Sequence, residues 1–218
     1  MNKSILLLAI FMSCLHLAGF SQKTRAGVQG GPTFSKMTGV LDGRDNDYEV
    51  KVGYSLGMVV DAPINNKFSF YPGAHYVQKG TLQRPPMGTL ITKAYVALRY
   101  AELNLNVIYK ANGTKGNFFV GAGPSVSFNL PSKIGTMIDK DKTERDVAFG
   151  NTIDKDINGV DYGANFLLGY RLASGFYVTG TYNMGIRDIR PEDNPGSEAI
   201  KTTYFSLQIG WLLHNKAN

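Results

Sequence analysis

Histidine is the side chain that could act as a catalytic base in this chain, if a hydroxyl and a carboxylate lay beside it. Beyond the N-terminal segment the sequence offers two histidines, His75 and His214. A nucleophile and its base must meet within hydrogen-bonding distance where substrate can enter. His214 belongs to the polar C-terminal tail, and strand alternation places His75 on an inward face, midway along its strand. We therefore predict no enzymatic activity and no catalytic residues.

Two acidic runs, Asp42–Glu49 and Asp139–Asp146, superficially suggest calcium loops. Neither has glycine at the sixth position and glutamate at the twelfth, as an EF-hand requires. We interpret both runs as solvated loops and predict no metal site. The sequence also lacks a phosphate-binding glycine loop, so we predict no cofactor.

Glu102 is the most informative charge, because it lies in the alternating stretch YAELNLNVIYK. A carboxylate on the inner face of a strand needs donors or a cation nearby. Folding the chain around 83–90 and 111–116 predicts that Tyr71 and Ser125 lie approximately opposite Glu102. An arginine then reaches across the interior to the carboxylate. The predicted lumenal polar cluster consists of Tyr71, Glu102, Ser125, Arg171 and Arg187. We interpret it as a structural plug, with a proton or ligand path as the alternative.

Strands must position these residues, because large apolar side chains recur at every second position in long segments. In KVGYSLGMVVD, Val52, Tyr54, Leu56, Met58 and Val60 share one face. The pattern predicts eight strands and no long helix. They are 24–36, 49–62, 67–82, 91–110, 117–130, 159–173, 176–189 and 201–213.

The connections alternate between long loops and short turns, and the short ones are 63–66, 111–116 and 174–175. This asymmetry is typical of outer-membrane barrels, with short turns in the periplasm and long loops outside. We predict an all-β protein, an eight-stranded antiparallel up-and-down transmembrane β-barrel with a polar filled lumen. The long 131–158 connection leaves open a further hairpin and ten strands.

Eight strands enclose an interior that side chains fill, so we predict no open pore. Pro32 and Pro124 fall inside strands, and a proline removes a ladder donor, so we predict local bulges there. Aromatic residues near strand ends suit interfacial girdles. They are Tyr48, Phe68, Tyr109, Phe118, Tyr170, Phe176 and Trp211.

Residues 1–21 have the form of a secretory signal: Lys3, an apolar run, then small residues. Cleavage after Ser21 removes Cys14 and leaves a barrel domain of residues 22–218 without cysteine, hence without disulfides. The net charge of +6 is scattered along the chain, which argues against nucleic-acid binding.

Five segments resemble the PorT-like outer-membrane β-barrel family that is common in Bacteroidetes. They are AGVQGGPTFSKM, FYPGAHYVQKG, YAELNLNVIYK, FFVGAGPSVSF and YFSLQIGWLL, which together span essentially the mature chain. Tyr100 and Glu102 match the family's fourth strand, where Asn104 replaces a proline. The resemblance implies an outer-membrane barrel and no defined activity.

We therefore expect an integral outer-membrane protein of a Gram-negative cell, with a structural or interaction role carried by its outer loops, especially 131–158. The expected partners are outer-membrane lipid and lipopolysaccharide, the barrel-assembly machinery, and a protein or surface polymer at the loops. The alternative is a soluble exported lipocalin-like barrel that binds a small ligand. A lipocalin would be apolar inside and polar outside, which is the reverse of the polarity that the strand alternation of this sequence predicts.

Overall fold

A computed structural model of the chain describes residues 24–38, 40–41, 44–45, 48–83, 91–113, 116–139, 141–152, 154–191 and 199–213. The predicted signal segment 1–21 and His214 lie outside the described residues. No helix among those described is long and apolar enough to cross a membrane.

Eleven strands follow one another along the chain. They are β1 (Arg25–Thr38), β2 (Val40–Leu41), β3 (Arg44–Asp45), β4 (Tyr48–Pro63), β5 (Phe68–Gln83), β6 (Lys93–Asn112), β7 (Gly116–Ile138), β8 (Asp141–Asp146), β9 (Val160–Leu172), β10 (Phe176–Gly185) and β11 (Lys201–Leu212). Eight of them, β1, β4, β5, β6, β7, β9, β10 and β11, each pair with the next in sequence. The antiparallel pairing of β1 with β11 closes the ring. The predicted eight-stranded up-and-down barrel is confirmed.

The 131–158 segment does contain a hairpin, but it adds no strand to the barrel wall. Strand β7 continues to Ile138, and β8 folds back along Lys133–Ile138. Strand β9 pairs with the earlier part of β7, from Gly116 to Phe128. The ten-strand alternative is therefore wrong, and β7 and β8 form a hairpin beyond the rim. Strands β2 and β3 form a separate two-stranded hairpin.

The predicted bulges at Pro32 and Pro124 are not found. The β1–β4 register runs unbroken through Pro32, and the β7–β9 register runs unbroken through Pro124. The register shifts instead between Val50 and Ser55 of β4, and between Ala97 and Arg99 of β6, where the partner strand β7 carries Pro131. Both prolines therefore lie in strands without a bulge.

The outer surface of the barrel is apolar and its inner face is polar. Val52, Leu56 and Met58 are each more than 60% exposed, whereas the intervening Ser55 is 3% exposed. This polarity is opposite to that of a lipocalin, so the soluble alternative is wrong. A band of exposed apolar side chains needs lipid rather than water around it.

Six of the predicted girdle aromatics form three cross-strand ring contacts at one end of the barrel. Phe68 contacts Tyr109, Phe118 contacts Tyr170, and Phe176 contacts Trp211, with centroids 5.4, 4.7 and 6.3 Å apart. This end also carries the turns 64–67 and 173–175, and we call it the short-turn end. The opposite end is the long-loop end. The side chain of Tyr48 lies outside the described residues.

Two apolar layers close the lumen, one near each end. The short-turn layer consists of Val59, Tyr71, Ile108, Phe119, Leu167, Tyr177 and Leu212. The long-loop layer consists of Met37, Leu98, Tyr100, Val147, Ile157 and Ile189. Val147 and Ile157 come from the long connection after β8, so this connection folds inward over the barrel mouth. Each fully buried apolar side chain contributes about 1.5–3 kcal/mol.

Candidate functional site in the lumen

Between the two apolar layers lies a buried ion cluster of Lys79, Glu102 and Asp161, which we call the charged cluster. Lys79 of β5 places its Nζ 3.0 Å from Glu102 Oε2 and 3.4 Å from Asp161 Oδ2. The three side chains are only 1%, 1% and 2% exposed. Because water is excluded, the ammonium and the carboxylates depend on each other and on nearby donors for their solvation.

Hydroxyl groups add hydrogen bonds to the charged cluster. Tyr204 donates to Glu102 Oε1 at 2.6 Å, and Thr202 donates to Asp161 Oδ2 at 2.6 Å. Ser127 accepts from Lys79 at 3.0 Å and donates to Glu102 Oε2 at 2.9 Å. One cation faces two carboxylates, and these donors stabilise the excess negative charge.

Two tyrosine rings flank the cation. Lys79 Nζ lies 5.1 Å from the ring centroids of both Tyr100 and Tyr204. A desolvated ammonium over an aromatic face gains about 2 kcal/mol or more. The cluster is therefore arranged to hold a fixed cation at the centre of a packed lumen.

A second polar group surrounds His75, nearer the short-turn layer. His75 Nε2 lies 2.8 Å from Gln29 Nε2, and His75 Nδ1 lies 3.1 Å from Asn104 Nδ2. Gln29 also contacts Gln208 at 3.0 Å and accepts from the Tyr177 hydroxyl at 2.9 Å. Both imidazole nitrogens are therefore occupied by side-chain amides, and no hydroxyl nucleophile contacts the ring among the hydrogen bonds of the described chain.

Glycine makes room for this imidazole. A Cβ placed on Gly57 would collide with the His75 ring, and one on Gly73 would crowd it from the other side. Small residues on the inner face are thus required where a larger lumenal side chain crosses the barrel.

The five residues of the predicted polar cluster do not form one cluster. Glu102 is central, but its strand neighbours are His75 and Ser127. The predicted positions of Tyr71 and Ser125 opposite it are wrong: Tyr71 pairs with Asn106, and Ser125 pairs with Asn104. The predicted partner of Glu102 is wrong by four residues on β5 and by two residues on β7. Because both shifts are even numbers, Tyr71 and Ser125 still face the lumen.

Tyr71 and Ser125 therefore have other roles. Tyr71 packs in the short-turn layer, with its ring centroid 6.3 Å from that of Phe119. Ser125 accepts a hydrogen bond from Asn183 at 2.8 Å.

The two arginines lie at opposite ends of the barrel, and their predicted contact with Glu102 is not found. Arg171 forms a buried ion pair with Asp61 at the short-turn end. Arg187, at the long-loop end, donates to the Val160 carbonyl at 3.3 Å and lies 5.4 Å from the Tyr162 ring centroid.

Sequence reasoning missed Lys79, the cation that Glu102 actually binds. Lys79 follows His75 by four positions, so strand parity alone places it in the lumen. Because the predicted register of β5 against β6 was incorrect, it did not place Lys79 near Glu102. That proximity depends on the way β5, β6 and β9 come together in the barrel.

The β7–β8 hairpin, which extends beyond the barrel rim, carries several charged residues that form ion pairs. Glu144 binds Lys142 at 2.8 Å and Lys133 at 3.3 Å, and it accepts a hydrogen bond from Tyr95. Its contacts with Lys142 and then Tyr95 lower the pKa of Glu144 to about 2. All six β8 residues are exposed. The hairpin thus presents a charged surface to solvent.

An ion pair ties the hairpin to the connection that follows. Arg145 contacts both carboxylate oxygens of Asp156, at 2.6 and 2.7 Å, and Ala148 N donates to Asp156 at 2.9 Å. The Arg145 contact lowers the pKa of Asp156. This bridge and the buried Val147 and Ile157 make 141–158 a folded surface over the barrel mouth.

A family described as outer membrane protein beta-barrel domain matches residues 20–190 of the sequence, well over half of the chain. The chain belongs to this family. This outer-membrane barrel therefore resides in the outer membrane, with the apolar band described above in contact with lipid.

Solved structures with a similar arrangement share little sequence with this outer-membrane barrel. The attachment invasion locus protein Ail of Yersinia pestis is 12% identical, with a TM-score of 0.43, covering 87% of this chain and 98% of Ail. OprG of Pseudomonas aeruginosa is 11% identical, with a TM-score of 0.46, covering 88% and 97%. Neisserial surface protein A is 12% identical, with a TM-score of 0.41, covering 85% and 96%. No curated protein matches the sequence.

Proposed function

We propose that this protein has a structural or interaction role in the outer membrane, exerted through its long-loop end, without intrinsic catalysis and without an open pore. The observation that carries the proposal is the β7–β8 hairpin. Its β8 side chains are all exposed, and the connection behind it is packed onto the barrel mouth. A folded, charged surface above a filled lumen suits contact with another molecule better than passage through the barrel.

The packing of the lumen supports the proposed absence of a pore. The cavity beside Gln29, Ser55 and His75 measures about 20 Å³. That volume holds about one water molecule. The apolar layers above and below it leave no continuous polar path along the described strands.

The case against catalysis rests on the occupied histidine and on the ion-paired lysine. His75 contacts two amides, and Lys79 is enclosed by carboxylates and aromatic rings. Among the described residues no group of three His, Cys, Asp or Glu side chains is close enough to hold a metal ion. The charged cluster acts as a plug that stabilises the barrel.

The proposal includes an orientation and a route to the membrane. Residues 1–21 are removed as a signal peptide, the short-turn end faces the periplasm, and the long loops face outward. The barrel-assembly machinery inserts the chain, and lipopolysaccharide surrounds its outer half. The segments quoted above support a place within the PorT-like branch of the family, of Bacteroidetes origin.

Site-specific photocrosslinking in living cells of the natural host tests this role. A photoreactive residue replaces Thr143, which is exposed on β8, or Ser174, which is exposed in a short turn. The proposal expects a discrete adduct at Thr143 and none of the same size at Ser174. An adduct at Ser174 alone would place the interaction at the wrong end, and solute-permeable proteoliposomes would contradict the closed lumen.

A further inference from the structure

The short-turn end contains a vestibule that the proposed function does not use. It is a cavity of about 380 Å³, within the size range of small-molecule sites. Its lining includes Arg25, Asp61, Lys110, Asn117 and Arg171. The short-turn apolar layer closes it toward the centre of the barrel. As far as the described strands define it, the vestibule therefore opens at the short-turn end.

The charge of this vestibule is unbalanced. Among the described lining residues, three cations, Arg25, Lys110 and Arg171, accompany one carboxylate, Asp61. Arg171 already binds Asp61 in a buried ion pair. Arg25 and Lys110 form no ion pair with any carboxylate of the described chain. Two positive charges are thus left to attract an anion into the pocket.

Lys110 is the decisive residue, because its side chain is 8% exposed and lines the vestibule. Its backbone is fixed, since Lys110 N donates to the Lys67 carbonyl at 2.6 Å. Its ammonium makes no hydrogen bond to the described part of the protein. Lys110 lines this open vestibule, and the carboxylate among its described lining residues, Asp61, is already paired with Arg171. An anion that entered the vestibule would give the ammonium a charged partner.

We propose that the vestibule binds a phosphate-bearing anion between Arg25 and Lys110. Guanidinium and ammonium groups are the side chains best suited to phosphate oxygens, one as a planar fork and the other as a point charge. The Asn117 amide, which also lines the cavity, adds a neutral donor. The phosphate comes either from a soluble phosphate ester or from the headgroup of a phospholipid in the adjacent leaflet. The site lies at the end opposite the long loops. The failure of this proposal would therefore not contradict the proposed function, and the failure of the proposed function would not contradict this proposal.

Titration of the purified full barrel tests the proposal. In micelles of a phosphate-free maltoside detergent, glycerol 3-phosphate is added against sodium chloride of equal ionic strength, and the backbone amide resonances around Asn117 are followed. A separate arm compares these micelles with and without added phosphatidylglycerol. Saturable shifts with the soluble ester identify a solute site, and shifts only with phosphatidylglycerol identify a headgroup site.

Three variants sharpen the test. Lys110→Met is expected to weaken binding at least tenfold, and Lys110→Arg is expected to retain most of it. Lys67→Met removes an exposed lysine from the neighbouring turn and is expected to leave binding unchanged. Heat-dependent gel mobility establishes that each variant is folded.

Two results would overturn the inference: no saturable response in either arm, or equal losses for Lys110→Met and Lys67→Met. The second result would mean that net charge, rather than the vestibule, attracts the phosphate.

Discussion

Replacing Lys79 by methionine removes the cation from the charged cluster while keeping most of its volume. Glu102 and Asp161, 1% and 2% exposed, would then face each other with only hydroxyl donors. Removing one partner of a buried ion pair typically costs about 3–5 kcal/mol. We expect Lys79→Met to lower the free energy of unfolding by this amount.

Neutralising the whole cluster should recover much of that loss. In Lys79→Met combined with Glu102→Gln and Asp161→Asn, no unpaired charge remains in the lumen, so we expect at least half of the stability to return. Glu102→Leu alone should cost less than Lys79→Met, because Lys79 keeps Asp161 as its partner at 3.4 Å. The exposed Lys67→Met variant should change stability by less than about 0.5 kcal/mol.

Equilibrium unfolding in urea from lipid vesicles measures these differences. Trp211 is the single tryptophan of the chain and lies in the aromatic girdle, so its fluorescence reports departure from the lipid interface. A Lys79→Met barrel as stable as the wild type would refute the account of the plug. So would a triple variant no more stable than the single one.

Three other predictions concern the lumen, the outer hairpin and the topology. Gly57→Ala should lower stability by about 1–3 kcal/mol through collision with His75, and combination with His75→Ala should recover part of the loss in the same urea assay. Glu144 and Asp156 have lowered pKa values, so their contribution to hairpin order is complete above about pH 4.5 and declines toward pH 2. Amide exchange of β8 measures this, and uniform protection across that range would contradict it. Protease added to intact cells should cut within 131–158 and spare 63–66, 111–116 and 174–175; cleavage confined to those short turns would invert the topology.

The alternation of residue types was sufficient to predict the barrel and the face on which each residue lies. In β1, Gln29 and Thr33 face inward while Val28 and Phe34 face outward, as the pattern requires. The face on which a side chain lies depends on the two-residue period within one strand, which is a local property of the sequence. Strand number follows in the same way from counting local segments.

Strand register and the fold of the long connection could not be predicted in this way. Register depends on hairpin length and bulges, so a small error moved the expected partner of Glu102 from His75 to Tyr71 without changing its face. Val147 and Ile157 are buried in a cluster that also contains Leu98 and Met37, which are distant in sequence. The charged cluster joins β5, β6 and β9, and no local signal links them.

Membrane fractionation combined with gel mobility tests most directly the central claim that this chain is an integral outer-membrane barrel. The exposed apolar belt and the closure of β1 on β11 predict that the protein stays in the outer-membrane fraction after a carbonate wash. They also predict that its unheated form migrates differently from its boiled form, because a closed barrel resists detergent until heated. Recovery in the soluble periplasmic fraction, with the same mobility before and after heating, would contradict the account.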